Sequence, residues 1–244
     1  MSEVVSTVYV TGEYLGNNPD WHDGDGAWKA TQIAGLLDRN GLRPTSVCDV
    51  GCGTGRVLRE LSRHLPGSPR MVGFDIAAAP LERGDERLAG SGGPAGGRDG
   101  VELVVGDARV STDYFDLLMM VDVFEHVEDY LGFLRAFHGR SRHFVFHIPL
   151  DMSVQTVLRS APIMHARSGV GHLHYFSRET ALATLADAGY RVLDETYTRG
   201  GVELATNART RLARVPRQVA HRLNPDLAAR VLGGFSLLVL AEEA

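Results

Sequence analysis

The sequence predicts an α/β fold with a doubly wound, mostly parallel sheet and helices packed on its faces. Along the 244 residues, short apolar runs of strand length alternate with segments of helical periodicity, as expected for parallel strands joined by crossover helices. The clearest unit is V-C-D-V-G-C-G-T-G-R-V-L, residues 47–58, where a buried strand, a glycine-rich turn and a helix start follow one another. We take this unit as the centre of the predicted fold.

The composition is that of an ordinary soluble protein with one domain. Hydrophobic residues make up 44% of the chain and charged residues 23%, and single α/β domains reach about 200 to 250 residues. A formal net charge of −5 argues against nucleic acid as a partner. The chain shows neither an apolar stretch of membrane-spanning length nor a signal peptide, so we expect a cytoplasmic protein without membrane association. Cys48 and Cys52 are predicted to be buried, reduced thiols, because C-x3-C spacing fits neither a redox pair nor a zinc pair.

The glycine-rich turn predicts a site for a polar ligand. Gly51, Gly53 and Gly55 let a ligand approach the backbone, and the helix that follows offers unpaired N–H groups. A dinucleotide fingerprint would require a third glycine at the position of Arg56, and a P-loop would require a lysine, yet Lys29 is the only lysine of the chain. The spacing therefore argues against both phosphate-binding motifs.

The run D-V-G-C-G-T-G closely resembles motif I of the class I methyltransferases that depend on S-adenosyl-L-methionine (SAM). The resemblance implies a Rossmann-like sheet of seven strands whose last strand, expected at 235–241, is antiparallel. It also implies that Asp49 lies near the methionine part of the cofactor and that the glycines let the backbone approach it. SAM is accordingly the expected cofactor.

Two later acidic residues extend this resemblance. Asp75 ends a second strand about 20 positions after the glycine turn, where a carboxylate can accept hydrogen bonds from two ribose hydroxyls, although it could instead cap the next helix. Asp107 follows a third strand, and in the family this acid meets the adenine amino group while the next N–H meets a ring nitrogen. Between them, residues 77–100 are predicted to begin as a helix and continue as a flexible connection. The expected cofactor-binding residues are Asp49, Gly51, Cys52, Gly53, Gly55, Asp75, Ile76, Asp107, Ala108, Val121 and His126.

The fourth strand, 114–121, is followed by D-V-F-E-H-V-E-D-Y, which resembles the corresponding segment of small-molecule methyltransferases and is expected to continue into a helix. The D/N-P-P-Y/F element of enzymes that methylate the amino groups of nucleic-acid bases is absent from the sequence. Glu125 and His126 fall at the carboxyl end of the sheet, where ligands bind in open α/β folds. His126 could act as a general base, contact the cofactor, or serve only the structure.

Three histidines are candidates for a catalytic base: His126, His147 at the end of the fifth strand, and His172. Residues 149–176 form an insertion expected to cover the substrate. In it, His172 and His174 have an H-x-H spacing that could bind a divalent metal, but the sequence lacks further spaced ligands and we predict no metal site. Family members can lack a fixed catalytic residue altogether.

Three further segments lie outside the predicted cofactor site and the insertion at 149–176. Residues 1–45 are expected to form a lid or packing segment with a helix over 27–37, in which Tyr14, Trp21, His22 and Trp28 could line the cleft. Ser177 is the expected N-cap of the helix over 180–188. Residues 200–234 form an Arg-rich helical insertion before the last strand, and a solvated face is its expected role.

Together these features predict an enzyme that transfers a methyl group from SAM to an O, N or C atom of a small molecule, in bacterial secondary metabolism and with a homodimer left open. Two alternatives remain. A non-catalytic protein that binds SAM would carry the same acidic residues. An NAD-dependent oxidoreductase would need a glycine at position 56 and a Tyr-x-x-x-Lys pair, which the chain lacks.

Overall fold

The computed structural model describes residues 23–82, 100–200 and 208–244. In these ranges seven strands form one sheet: β1 (Ser46–Val50), β2 (Arg70–Asp75), β3 (Val101–Val105), β4 (Phe115–Val121), β5 (Ser141–Pro149), β6 (Tyr190–Thr198) and β7 (Ser236–Glu243). Their order across the sheet is β3-β2-β1-β4-β5-β7-β6. This architecture confirms the predicted fold class.

The pairing of the strands positions the ligand-binding edge. β1 pairs in parallel with both β2 and β4, so the chain leaves the centre of the sheet first in one direction and then in the other. Ligands of doubly wound sheets bind at the carboxyl ends of the strands beside such a reversal. β7 runs antiparallel to β5 on one side and to β6 on the other, which confirms the predicted antiparallel last strand.

Eight labelled helices surround the sheet in the described ranges. They are α1 (Gly26–Arg39), α2 (Arg56–His64), α3 (Tyr130–Arg135), α4 (Val154–Arg159), α5 (Ala161–His165), α6 (Arg178–Asp187), α7 (Ala208–Leu223) and α8 (Pro225–Leu232). α1 forms because Ala30, Ile33 and Leu37 recur on one face and are all buried, as the helical periodicity predicted. Ser177 caps α6 by accepting a hydrogen bond from the Thr180 N–H, which confirms the predicted N-cap.

Two large apolar clusters form most of the core, one on each face of the sheet, and a small third cluster packs α8 against Phe235. One contains the aromatic residues Phe124, Phe144 and Phe146. The other joins α1 and α2 to the sheet through residues such as Ile33 and Leu61. Cys48 and Cys52 are buried free thiols, as predicted, and burial raises the pKa of both thiols well above the usual range.

Two predictions for local structure were wrong or incomplete. The segment after β4 was expected to continue into a helix, but a single turn at Phe124–His126 is followed by a break before α3. The break occurs because the Asp129 side chain accepts a hydrogen bond from the Gly132 N–H, 2.9 Å away, and so starts a new helix. The insertion at 149–176, for which no helix was predicted above, contains α4, α5 and a π-helical turn at Ala166–Val170.

Some predictions cannot be compared with the structure. Residues 1–22 of the predicted lid or packing segment, with Tyr14, Trp21 and His22, lie outside the described residues, as does most of the connection predicted at 77–100. Trp28, on α1, is partly buried, and its ring contacts the His147 ring edge-on at a centroid distance of 6.5 Å. Among the described helices, none has the length and apolar character needed to cross a membrane.

The glycine turn lies close against β2. The N–H groups of Gly51 and Cys52 donate to the Phe74 carbonyl over 2.8 and 3.0 Å. This contact requires Gly73 in β2, because a Cβ atom there would lie 2.7 Å from the Cys52 Sγ and 2.9 Å from the Leu58 Cδ1. The position of the turn therefore depends on a glycine in a neighbouring strand.

Replacing Gly73 with alanine should lower the free energy of unfolding by about 2 kcal/mol, because a buried methyl group would overlap two well-packed neighbours. Urea unfolding measured by circular dichroism gives the value. Gly35→Ala is the matched control, since that position is exposed on α1 with open space around it, and it should be neutral or stabilising by up to about 1 kcal/mol. Equal effects of the two substitutions would contradict the packing argument.

Candidate functional site

Two adjoining cavities open at the carboxyl ends of β1, β2 and β4. The first has a volume of about 430 Å³ and the second about 370 Å³. They share part of their lining, so a single extended ligand can occupy both. The shared residues are Gly51, Asp75, Ile76, Val123 and Val127.

The glycine turn forms the floor between the cavities. Gly51 and Gly53 take φ values of 73° and 54°, a conformation that side chains disfavour, and the space beside the Gly53 Cα is open. Gly55 differs from the prediction in its position, since it lines neither cavity and packs against the Leu103 side chain at the start of α2. Its contribution is to the shape of the turn.

Asp75 ties the turn to the end of β2. One carboxylate oxygen accepts from the Gly53 N–H at 2.8 Å and the other from the Ala77 N–H at 2.9 Å. Burial raises the pKa of Asp75, and these two hydrogen bonds oppose the rise. Each oxygen still has a second lone pair for a ligand, because a carboxylate can accept about four hydrogen bonds.

The first cavity has mainly apolar walls with acidic groups at its rim. Phe74, Ile76 and Phe133 line it, and so do Asp107 and Ala108, which the sequence predicted for adenine. The Arg109 guanidinium lies over the Phe133 ring, 5.7 Å from its centroid. Such a flat apolar space with a few polar groups suits an aromatic heterocycle.

Asp107 already has an ionic partner. The Arg109 Nη2 lies 2.6 Å from one Asp107 oxygen, and the Arg109 backbone N–H donates to the other oxygen at 2.9 Å. These hydrogen bonds lower the pKa of Asp107 below its usual value. A ligand at this position must share the carboxylate with Arg109, a partner that the sequence did not indicate.

The second cavity is more polar, and Asp49 lies at its base. Val121, Cys52 and Gly53 also line it. Asp49 is 1% exposed, and among the described residues its Oδ1 has no hydrogen-bond partner. Burial, with a smaller contribution from Asp75, raises the pKa of Asp49 to about 8. A cationic group of a ligand would remove this electrostatic cost.

Lys29 and Asp122 form a polar network along the wall of the second cavity. The Lys29 Nζ lies 3.0 Å from Asp25 and 2.9 Å from Asp122. Asp122 has a positive φ of 56° and also contacts the His147 Nδ1 at 2.6 Å. Burial alone would lower the pKa of Lys29 and raise that of Asp122. The charges of Asp122 and Asp25 instead raise the pKa of Lys29, and contacts with His147 and Lys29 lower that of Asp122.

His147 is placed apart from the other two candidate bases. Its Nδ1 contacts Asp122, its Nε2 lies 2.8 Å from the Thr198 hydroxyl, and it lines neither cavity. The structure therefore gives His147 contacts that hold Asp122 in place, on a ring that lies outside both cavities.

His126 and His172 are brought together in the wall of the second cavity, although 46 positions separate them in the chain. Their rings meet edge to face with centroids 4.9 Å apart. The His172 Nδ1 lies 2.6 Å from Asp151, and the His126 Nδ1 lies 3.0 Å from the Gly171 carbonyl oxygen. His174 points elsewhere, with its Nε2 2.9 Å from the Val127 carbonyl oxygen.

Several residues of the site were missed by sequence reasoning. Arg109, Phe133 and Asp151 reach the cavities or their partners only through the folded chain, and no local pattern marks them. Lys29 was also missed, although the sequence distinguishes it: it is the only lysine in a chain whose other 24 basic residues are arginine.

Comparison with known proteins places these features in a family context. A family model described as a methyltransferase domain matches residues 24–195, about 70% of the chain. No curated protein sequence matches the chain.

Solved structures share the fold at low sequence identity. Magnesium protoporphyrin IX methyltransferase from Synechocystis PCC 6803, with bound S-adenosylhomocysteine (SAH), is 14% identical and has a TM-score of 0.58, covering 89% of this chain and 83% of that one. The N-methyltransferase NodS from Bradyrhizobium japonicum WM9, also with SAH, is 15% identical with a TM-score of 0.53, covering 88% and 85%. The mitomycin 7-O-methyltransferase MmcR is 18% identical with a TM-score of 0.58, and 54% of its length is covered by 89% of this chain.

Proposed function

The chain belongs to the methyltransferase domain family, and from this premise we propose that it moves the methyl group of SAM to a small molecule bound in the second cavity. It is a SAM-dependent methyltransferase. The observation that carries the proposal is the shared lining of the two cavities, with Asp75 between them. An extended cofactor can then lie across both, with its reactive end towards the second.

The residues present fit SAM. The apolar walls of the first cavity, with Ala108 and Asp107 at its end, suit adenine, and Asp75 is placed for the ribose hydroxyls. Asp49 offers a buried oxygen without a described partner to the cationic methionine part. These assignments are the roles that the family resemblance predicted for the same residues.

The acceptor shares the second cavity with the methionine end of SAM. At about 370 Å³ this cavity lies at the lower end of the range for small-molecule sites, about 300 to 1,000 Å³, so the acceptor is expected to be small. Pro149, Val170 and His172 from the 149–176 insertion line it, in support of the predicted covering role of that segment. The similar structures are named for different acceptors, so the fold alone does not give the acceptor of this chain.

The protein's part in the reaction is alignment and exclusion of water. SAM supplies an activated methyl group that an O, N or C nucleophile attacks in line, without a covalent enzyme intermediate. Asp49, Asp75 and the glycine turn hold one reactant, and the walls of the second cavity orient the other, which makes the step effectively unimolecular. His126 and His172 line the cavity in which the acceptor would lie.

We place the acceptor in bacterial secondary metabolism. The preference for arginine over lysine, with many alanines and glycines, suggests a high-GC bacterial genome, and the insertion expected to cover the substrate at 149–176 is in keeping with a tailoring enzyme. The net charge of −5 favours a small molecule over nucleic acid or an anionic membrane. Turnover assays with hydroxylated and aminated natural products, beside an RNA oligonucleotide, would separate these acceptor classes.

Calorimetric titration of the purified protein with SAM, SAH and NAD tests the cofactor assignment. We expect SAM and SAH to bind at about micromolar affinity and NAD to show no heat of binding. Binding of NAD alone would contradict the proposal, since it would mean that the turn holds a dinucleotide.

Replacing Asp75 with alanine should weaken SAM binding by about 2 kcal/mol, because charge-assisted hydrogen bonds to the ribose are lost. The same calorimetric titration gives the value. The control is Asp113→Ala, at an acid that pairs with Arg70 away from both cavities. Unchanged SAM affinity in Asp75→Ala would remove this residue from the site.

A further inference from the structure

We propose that Glu125, His126 and His172 bind one divalent transition-metal ion in the inner wall of the second cavity. One ligand atom from each residue, a carboxylate oxygen and two imidazole nitrogens, lies within 4.8 Å of the other two. Around a metal ion with bonds of about 2.1 Å, ligand atoms are roughly 3 to 4 Å apart. The three side chains need to close by only about 1 Å.

Glu125 is the strongest sign of a missing cation. Its side chain is 0% exposed, and among the described residues neither carboxylate oxygen has a hydrogen-bond partner. A buried carboxylate without partners is costly, and proteins normally pair such a group or bind a metal with it. A divalent ion would supply the positive charge that this position lacks.

The backbone of Glu125 brings the second histidine to the site. Its carbonyl oxygen accepts hydrogen bonds from the Leu173 N–H at 2.8 Å and the His174 N–H at 3.1 Å. This double contact fixes the segment that carries His172 against the segment that carries Glu125 and His126. The cluster is therefore held by main-chain hydrogen bonds and does not depend on a chance approach of side chains.

Both imidazoles are oriented as metal ligands usually are. The Nδ1 of His172 faces an Asp151 oxygen at 2.6 Å, and the Nδ1 of His126 faces the Gly171 carbonyl oxygen at 3.0 Å. Because these partners are acceptors, each Nδ1 carries the proton and each Nε2 presents a lone pair. A histidine held by a carboxylate or a carbonyl on its far nitrogen is the common arrangement around protein-bound metals.

The donor set indicates which ions fit. Two neutral imidazoles and one carboxylate suit Mn²⁺, Fe²⁺, Co²⁺ or Zn²⁺ better than Ca²⁺, which prefers oxygen ligands alone. His126 and His172 line the second cavity, so the open positions of the ion would face the acceptor. His174, which the sequence paired with His172, lies outside the cluster, and its ring packs against Tyr130 with centroids 4.3 Å apart.

The bound ion would determine which class of acceptor is methylated. This step of the proposal rests on the proposed methyltransferase function. A hydroxyl oxygen that coordinates the ion has a lowered pKa and loses its proton to solvent. That oxygen then forms a bond to the methyl carbon of SAM while the carbon–sulfur bond breaks and its electron pair stays on sulfur, giving SAH. The class of acceptor is therefore a molecule with a metal-binding hydroxyl, and the reaction is O-methylation.

The test is direct metal binding to protein that has been stripped with a chelator. Titration with Co²⁺, followed by its visible absorption, and with Mn²⁺, followed by electron paramagnetic resonance, should show one site per chain in the wild type. Glu125→Gln and His172→Ala should each weaken binding by at least about 10-fold. His174→Ala is the matched control and should bind as the wild type does. Wild-type protein that binds neither ion, or a His172→Ala variant with unchanged affinity, would overturn the proposal.

A second measurement guards against misfolded variants and separates this proposal from the methyltransferase proposal. Saturating Co²⁺ should raise the melting temperature of the wild type and of His174→Ala, and leave that of Glu125→Gln unchanged. Glu125→Gln should fold, because it keeps the shape of the side chain and removes an unpaired charge. SAM binding without metal binding would overturn the metal site alone, whereas metal binding without SAM binding would overturn the cofactor assignment alone.

Discussion

Replacing Asp49 with asparagine is expected to raise the free energy of unfolding of the ligand-free protein by about 4 kcal/mol at pH 7. The pKa of Asp49 rises from 3.8 to about 8 in the folded chain because the carboxyl is buried near Asp75. At pH 7 the unfolded chain releases this proton and the folded chain keeps it, at about 1.4 kcal/mol per pH unit above 3.8. Asparagine resembles the protonated acid and carries no proton to lose.

The direction of the pH dependence follows from the same linkage. Between pH 4 and pH 8 the unfolded wild type binds fewer protons than the folded wild type, so wild-type stability falls as the pH rises. The advantage of Asp49→Asn should therefore vanish near pH 4 and grow towards pH 8. Urea unfolding at pH 4, 6 and 8 measures it, with Asp38→Asn, whose carboxylate is 68% exposed, as the control. An advantage that is the same at all three values would contradict the assignment.

Asp49→Asn should also bind SAM more weakly, although it is the more stable protein. The wild-type carboxyl must ionise to pair with a cationic ligand, so SAM binding below pH 8 should release protons. Calorimetry in buffers of different ionisation enthalpy would count them. A variant that is more stable but binds SAM more weakly would show that the Asp49 carboxyl contributes to binding at the expense of folding stability.

Replacing Lys29 with methionine should lower the free energy of unfolding by about 3 kcal/mol at pH 7. The Lys29 side chain is 11% exposed and pairs with Asp25 and Asp122, whose side chain is 27% exposed. Methionine fills similar space but leaves Asp122 without its cation, and breaking a buried ion pair on one side is strongly destabilising. Thermal and urea unfolding give the value.

The double variant Lys29→Met, Asp122→Asn is the control for this prediction. It removes both charges, so most of the lost stability should return. Because His147 and Lys29 together lower the pKa of Asp122 in the folded protein, their contacts with Asp122 stabilise it above pH 4, and this contribution is lost as the pH falls. A double variant no more stable than Lys29→Met would show that Lys29 acts through packing.

The sequence predicted the fold well because the strands of a parallel sheet are marked locally. The fourth strand was predicted at 114–121 and the antiparallel last strand at 235–241, and both lie within about two residues of the observed bounds of β4 and β7. The break after β4 was missed, because the capping of α3 by Asp129 competes with an apolar periodicity that continues through it.

In the candidate site, too, the residues marked by a local sequence pattern were predicted and the others were not. Asp49, Asp75 and Asp107 follow directly from strand ends, and the structure places all three at the cavities. His147 also ends a strand, but its side chain points towards Asp122 and Thr198, and the period-2 alternation of a strand did not reveal that direction. The pairing of Glu125 and His126 with His172 depends on hydrogen bonds between segments almost fifty residues apart, which no local pattern encodes.

The position of β7 between β5 and β6 has a consequence for biosynthesis. Among the described strands, β6 pairs only with β7, so this pairing cannot form before residues 236–243 have been made. Until then the edge of β5 is open and β6 is unpaired, the kind of exposed strand that chaperones recognise and that aggregates. Thr198, at the end of β6, also completes the hydrogen bonds of His147. The strands β1 to β5 can therefore pair while the chain is still being made. The β5–β7 and β6–β7 pairs form only after translation of the last strand.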